Sequence, residues 1–202
     1  MMKKRLLFGT ANQAKVDHIR AFLESLPVEI SSPRDLDIDI VVREDGKSPE
    51  ENAEKKAKAY FAESGMPTFA IDAGLYVAKF PDEKQPGVFV RRIFGTDRDA
   101  TDAEILDYYR RELAQVGGES VGIWRVSVVL VTSTGSVFAQ SYSLETMLTS
   151  QASDILIPGA PISSLMIDPA TGKYYSEMAY NERPDSKWIR EIIQQYLDLE
   201  EL

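Results

Sequence analysis

The spacing of apolar and polar residues changes several times along this chain, and each change predicts an element. Arg5–Phe8 is a short apolar run closed by Gly9, which reads as a first strand. Behind the polar turn Thr10–Ala11–Asn12–Gln13, residues Val16, Ile19, Phe22 and Leu23 recur at helical spacing, with Asn12 as the expected N-cap. Val28–Ser31 reads as a second strand. The alternating residues Leu36–Val42 read as an extended stretch leading to the turn Arg43–Glu44–Asp45–Gly46. Ser48–Pro49–Glu50–Glu51 opens a helix, because serine caps, proline suits the first position and acids suit the positive end. Ala53, Ala57, Tyr60 and Phe61 give that helix its inward stripe, with Lys55, Lys56 and Lys58 among them. After the turn Gly65–Met66–Pro67, the apolar run Thr68–Ile71 is a buried strand expected to end at Asp72.

Downstream of Gly74–Val77, the proline- and charge-rich loop Pro81–Gly87 leads into Val88–Ile93. Thr101 and Glu104 form a capping box for a helix through Ala114, with Ile105, Leu106 and Tyr109 facing the core. Gly122–Thr132 and Val137–Met147 are β-branched runs joined at Ser133–Ser136, the pattern of an antiparallel hairpin. Pro158, Gly159 and Pro161 constrain a loop before Leu165–Ile167, Asp168–Lys173 reads as a turn, and Pro184 opens a last helix. Its packed face is Trp188, Ile189, Ile192, Ile193, Tyr196 and Leu197. With βα units first and a hairpin later, the expected fold is α/β: a mixed sheet with flanking helices, two lobes and a central cleft, forming one domain over residues 1–202.

Composition narrows the chemistry. The 202 residues suffice for one well-packed domain. A formal net charge of −9 argues against a broad nucleic-acid-coating surface, though Lys15, Lys56, Arg91 and Arg92 are enough for a local basic pocket. Without cysteine there is no disulfide, thiolate metal site or thiol nucleophile, and one histidine excludes a histidine metal cluster within the chain. That residue, His18, lies at i,i+4 from Phe22 and is expected to pack. Met1–Met2–Lys3–Lys4 leads only into a short strand and no run reaches membrane-spanning length, so a cytoplasmic protein without membrane contact is the expectation.

The candidate chemistry centres on Gly46–Gly74. Glu44 just before it, Lys56 on its helix and Asp72 at its strand bring two acids and a lysine toward one sheet edge. Such a set suits a magnesium-phosphate site, in which carboxylates hold Mg²⁺ or orient water and the ammonium neutralises phosphate oxygens. Acids at strand ends also occur in turns without chemistry. The strand–turn–helix at Thr10–Lys15 points free backbone N–H groups above the sheet edge, and Lys15 sits in the helix's first turn, where a bound anion would favour it. A solvated surface lysine is the alternative.

These motifs in this order resemble the Ham1-like, or inosine triphosphate pyrophosphatase, family. The resemblance covers most of the chain and is strongest over residues 6–105. Thr10–Ala11–Asn12–Gln13–Ala14–Lys15 is similar to the family's Thr–Gly–Asn–x–x–Lys turn, with alanine for glycine. Glu44 precedes Glu51–Asn52–Ala53 and Lys56, and Asp72–Ala73–Gly74–Leu75 stands where the family has Asp–Ser–Gly–Leu. Pro86–Gly87–Val88–Phe89–Val90–Arg91–Arg92 matches an arginine loop, with Arg92 on the family's arginine, and Ala100–Thr101–Asp102 matches a helix start. The resemblance implies hydrolysis of nucleoside triphosphates between the α and β phosphates, releasing pyrophosphate, with deaminated purines as typical bases. It also implies a homodimer, Mg²⁺ held by Glu44 and Asp72, and catalysis by Asp72, Lys56 and Glu44. Thr10, Asn12, Lys15, Ala73, Gly74 and Arg92 would contact substrate.

The base-recognition half departs from the pattern. Gly159–Ala160–Pro161–Ile162–Ser163–Ser164 stands where the family has Gly–Phe–Gly–Tyr–Asp–Pro, and Ser186–Lys187–Trp188 where it has Ser–His–Arg. Tyr174–Met178 fits the family's aromatic–x–x–Glu–Met strand. Lys187 and Trp188 are therefore base-contact candidates in an altered pocket. The expectation is a Mg²⁺-dependent nucleoside triphosphate pyrophosphatase with changed base preference and no stable nucleic-acid complex. The alternatives are a phosphohydrolase for a modified or non-purine nucleotide and a non-catalytic nucleotide-binding or assembly protein.

Overall fold

The computed structural model describes residues 3–95 and 98–199. Their order is β1 (Lys4–Phe8), α1 (Gln13–Phe22), β2 (Val28–Ser31), α2 (Pro49–Ser64), β3 (Thr68–Val77), α3 (Asp102–Gln115), β4 (Glu119–Val131), β5 (Val137–Thr149), β6 (Met166–Ile167) and α4 (Pro184–Leu199). The strands form a six-stranded sheet in the order β2-β1-β3-β4-β5-β6. β1 runs parallel to both β2 and β3, whereas β6 is antiparallel to β5, so the sheet is mixed. Among the described residues no helix is long and apolar enough to cross a membrane.

The chain divides into two compact units. One comprises Met1–Asp72, Val126–Tyr142 and Tyr180–Leu202. There Phe8 stacks on Phe69, with ring centroids 4.8 Å apart. Ala53 and Ala57 of α2 pack against Ala70, Val129 and Val131, small side chains allowing helix and sheet to approach closely. Gly9 belongs to this close approach, since a Cβ there would lie 2.8 Å from the Tyr60 ring. The second unit comprises Ala73–Arg125 and Ser143–Ala179, with Leu75, Val77, Ile105, Tyr109, Leu113, Leu148 and Leu165 in its core. The buried Tyr109 hydroxyl donates to the Val90 carbonyl at 3.1 Å, tying α3 to the loop that carries Arg92.

Most expected caps are present. Asn12 accepts the Lys15 N–H, Ser48 accepts that of Glu51, and Thr101 with Glu104 closes a reciprocal box. Gly65 ends α2 in the left-handed region at φ 64°, a conformation glycine adopts without a Cβ penalty.

Four expectations change. The extended stretch read at Leu36–Val42 is interrupted at its start: Leu36 closes a 3₁₀ turn, Pro33–Leu36, and Asp37 is left-handed, while residues 38–46 join no ladder. Val41 is 99% exposed, so the alternation there buries nothing on that side. β3 does not end at Asp72 but continues to Val77 within the sheet, between β1 and β4, and Leu75 makes a separate bridge to Gly87 with backbone hydrogen bonds of 2.9 and 3.0 Å. Tyr175–Glu177 is a 3₁₀ turn rather than a strand, with the Glu177 carboxylate accepting the Ser153 hydroxyl at 2.8 Å. Trp188 leaves the packed face of α4, where Ile189, Ile193, Tyr196 and Leu197 are buried; it is 46% exposed and stacks on Tyr142.

Candidate active site

Three elements of the first unit converge on one buried ammonium. α2 carries Asn52 and Lys56 four residues apart, hence on one helix face. β3 presents Asp72, and the coil before α2 presents Glu44. The Lys56 Nζ donates to Asp72 Oδ1 at 2.8 Å and to Glu44 Oε2 at 3.0 Å. Lys56 and Asp72 are both 6% exposed, whereas the Glu44 side chain is half-buried. The lysine thus departs from the water-facing habit of its neighbours Lys55 and Lys58.

Burial works against the Lys56 charge, but Asp72 and Glu44 more than offset it, leaving its pKa above the ordinary value. Burial likewise raises Glu44, yet the charge and hydrogen bond of Lys56, with a further contribution from Lys15, bring its pKa below the usual range. Two carboxylates around one ammonium leave one formal negative charge. Buried groups of this kind need mutual pairing and hydrogen bonds to be tolerated at all.

The N-terminal turn contributes Thr10, Asn12 and Lys15. Thr10 Oγ1 accepts the Asn12 N–H at 3.2 Å, and Asn12 Oδ1 accepts the Lys15 N–H at 3.2 Å. Lys15 is close enough for its charge to act on Glu44, which joins this turn electrostatically to the Glu44–Lys56–Asp72 cluster.

The remaining candidates lie elsewhere. Ala73 and Gly74 are residues of β3 in the second unit, and Arg92 is in that unit's loop, over the Phe89 ring at 5.4 Å and 3.6 Å from Asp99. Beside it, Arg91 donates to Asp102 Oδ1 at 3.0 Å while the Gly159 N–H donates to Asp102 Oδ2 at 2.6 Å. Lys187 and Trp188 are on α4. Lys187 is exposed and 3.9 Å from Glu191, and the Trp188 ring lies nearly parallel to that of Tyr142 at 5.7 Å. These contacts give Lys187 and Trp188 partners other than the acid–lysine cluster.

A model of the Ham1 family matches residues 6–141. The chain belongs to the Ham1 family. Curated relatives of this Ham1 protein include dITP/XTP pyrophosphatases. That of Leptospira interrogans is 36% identical over 96 residues, 48% of each chain, so the match spans about half that relative's length. That of Geobacter sulfurreducens is 34% identical over 143 residues, 69% of each chain. That of Syntrophobacter fumaroxidans is 30% identical over 178 residues, covering 88% of this chain and 74% of the relative. The fold is that of a Ham1 protein from Coxiella burnetii, with a TM-score of 0.74 at 19% identity over 96% of this chain and 98% of the other. The Staphylococcus aureus Ham1 protein gives 0.72 at 16% identity over 98% and 100%.

Asn52 stands out in the sequence only as one member of Glu51–Asn52–Ala53. It is 2% exposed and bonded to Asp72. The available signal was an asparagine beside Ala53 and four residues before Lys56, on the inward face of a helix.

Proposed function

We propose that this protein hydrolyses nucleoside triphosphates to the monophosphate and pyrophosphate. The proposed substrates include the deaminated purine nucleotides for which its relatives are named. The observation that carries this reading is the buried Lys56 ammonium shared by Asp72 and Glu44. A phosphoanhydride requires neutralisation of developing charge and a placed water more than it requires a protein nucleophile.

The donor set fits Mg²⁺. Among the described residues no group of three or more His, Cys, Asp or Glu gathers as a protein-only metal cage. Mg²⁺ does not need one: it characteristically takes one or two carboxylates, the remaining ligands being waters and substrate phosphates. Glu44 and Asp72 would hold it, both supplying hard oxygen donors, and their bonds to Lys56 leave lone pairs available on each carboxylate. When bound, the ion would polarise phosphoryl oxygens and lower the pKa of a coordinated water.

The chain's own groups divide the other tasks. Asp72 orients water, its angle fixed by Lys56. Lys56 holds the two carboxylates in register, and its charge favours the anionic transition state. Asn12, Lys15 and the N–H groups at the start of α1 grip the triphosphate, with Thr10 shaping the turn. Ala73, Gly74 and Arg92 are proposed as further phosphate contacts, and Lys187 and Trp188 as base contacts. The substrate is free nucleotide, and the assembly is a homodimer.

The test is pyrophosphate release from ITP, XTP, dITP, ATP, GTP and pyrimidine triphosphates, with and without Mg²⁺. Metal-dependent release with nucleoside monophosphate as co-product is expected. No turnover across the panel, together with calorimetric nucleotide binding, would replace this reading with the non-catalytic one.

A further inference from the structure

The two carboxylates of the candidate site come from different kinds of structure. Asp72 is inside a strand, whereas Glu44 is on a coil with no ladder of its own. A coil residue can serve a geometrically demanding site only if something fixes it. The three residues after Glu44 are each tied to α2. Asp45 pairs with Lys55 at 2.5 Å, the Gly46 N–H donates to Asn52 Oδ1 at 2.7 Å, and the Lys47 N–H donates to Glu51 Oε2 at 2.7 Å. The first and third of these are exposed, and exposed pairs constrain little. The middle one is buried, and its acceptor Asn52 also reaches Asp72.

The Asn52 amide is fully directed by its neighbours. The Gly46 N–H can only donate, so Asn52 turns Oδ1 toward it and thereby aims Nδ2 at Asp72 Oδ2, at 3.3 Å. Asp72 consequently has a different donor on each oxygen, Lys56 on Oδ1 and Asn52 on Oδ2, which sets the carboxylate plane. Gly46 shows the same contact from the coil side. A Cβ there would lie 2.5 Å from Asn52 Oδ1 and 2.8 Å from Glu51 Cβ, so a larger residue cannot approach α2 this closely.

We propose that Asn52 is a positioning residue: one buried amide locks the coil carrying Glu44 to the carboxylate of Asp72, fixing the pair as a divalent-cation site. This rests on the reading of Glu44 and Asp72 as the site of metal-dependent triphosphate hydrolysis. Asn52 acts through the acids and contacts no phosphate.

The test compares the parent with Asn52→Ala, Asn52→Ser, Gly46→Ala and the exposed control Lys55→Ala. Calorimetric titration with Mn²⁺ in the absence of nucleotide, the Mg²⁺ concentration for half-maximal rate, kcat, KM and thermal unfolding are all measured. Loss of the amide should weaken Mn²⁺ binding and raise the Mg²⁺ requirement about 10-fold, and lower kcat about 10- to 100-fold, the usual range for residues that orient metal ligands. KM for the triphosphate at saturating Mg²⁺ should stay within about threefold, because the phosphate grip is elsewhere. Gly46→Ala should move the same quantities in the same direction and Lys55→Ala should not. If Asn52→Ala does not fold, Asn52→Ser and Gly46→Ala decide the matter. Folded variants with Mn²⁺ affinity and kcat within twofold of the parent overturn the proposal. So does a lowered unfolding temperature with unchanged Mn²⁺ affinity, which marks a purely structural role. A parent inactive on every triphosphate overturns the functional reading alone, since the Mn²⁺ titration still reports on Asn52; a parent that binds no Mn²⁺ overturns the positioning proposal directly.

Discussion

Acidification should destabilise the first unit through its sole histidine. His18 of α1 packs against Tyr180, with ring centroids 3.9 Å apart, and its Nε2 lies 3.4 Å from the buried Arg183 guanidinium. An arginine N–H can only donate, so this contact favours a neutral imidazole with an open lone pair on Nε2. Burial first, and then the Arg183 charge, lower the His18 pKa from 6.5 to about 4, with Asp17 opposing and Lys15 adding slightly. The folded state therefore resists a proton that the unfolded chain accepts. The stability contribution is fully present above about pH 6.5 and is lost as pH falls, until the folded state also protonates near pH 4. At about 1.4 kcal/mol per pH unit, the full interval is worth at most about 3 kcal/mol. Urea unfolding of the parent and of His18→Gln at about pH 7 and about pH 4.5 isolates this contribution from protonating carboxylates. The parent should lose about 2 kcal/mol more than the variant. As the chain has one histidine, its imidazole resonance can be titrated directly by NMR. A midpoint near the ordinary 6.5, or equal acid losses in both proteins, would refute the reasoning.

Other outcomes follow from the candidate site. Asp72→Asn should lower kcat/KM by orders of magnitude, and lower the unfolding temperature while circular dichroism at the assay temperature stays native, because an amide can neither hold a divalent cation in the same way nor pair with Lys56 as an ion. A rate within twofold of the parent would remove Asp72 from the mechanism. Lys15→Ala should raise KM for every triphosphate by a similar factor without changing the ratio between two nucleotides that differ only in base. A large change in that ratio would move Lys15 to the base pocket. Discrimination among bases should be weak. Ala160 offers no ring to stack, the Ser163 hydroxyl donates to the Ala160 carbonyl at 2.6 Å, and Lys187 faces solvent. The ratio of kcat/KM for ITP and XTP to that for ATP and GTP should stay below about 100-fold, or about 2.7 kcal/mol. A larger ratio would show a base pocket built from other residues.

Much of this architecture was legible because the chain states it locally. Asn12, Ser48, Thr101 and Gly65 mark helix ends by chemistry that needs no tertiary partner, and all four act as caps. The approach of Lys56 to Asp72 followed from an ordered motif and a plausible strand. Failures came where tertiary context decides. The alternation at Leu36–Val42 reads as extended, but its first two residues belong to a turn, Leu36 closing a 3₁₀ segment and Asp37 adopting the left-handed region. The extent of β3 depends on its place between β1 and β4, the latter far along the chain and invisible to periodicity. Trp188 sits at the margin of an apolar stripe, where it stacks on Tyr142 and stays half exposed. Asn52 was hidden for a different reason: its importance lies in two hydrogen bonds of opposite sense, and composition records neither.

Asp102 has a consequence of another kind. Its two oxygens join the Arg91 side chain to the Gly159 backbone, so one carboxylate at the start of α3 staples two segments that are otherwise loops. Segments tied in this way do not lose their conformational freedom independently; ordering one has already restricted the other. One of them carries Arg92 and the other opens into Ala160–Ser164. On the proposed reading, a ligand that engages the first through its phosphates meets the second already stiffened, at a reduced entropic cost. Affinity for the phosphate chain and tolerance toward what it is attached to would then be correlated properties, varying together in any variant that cuts the staple.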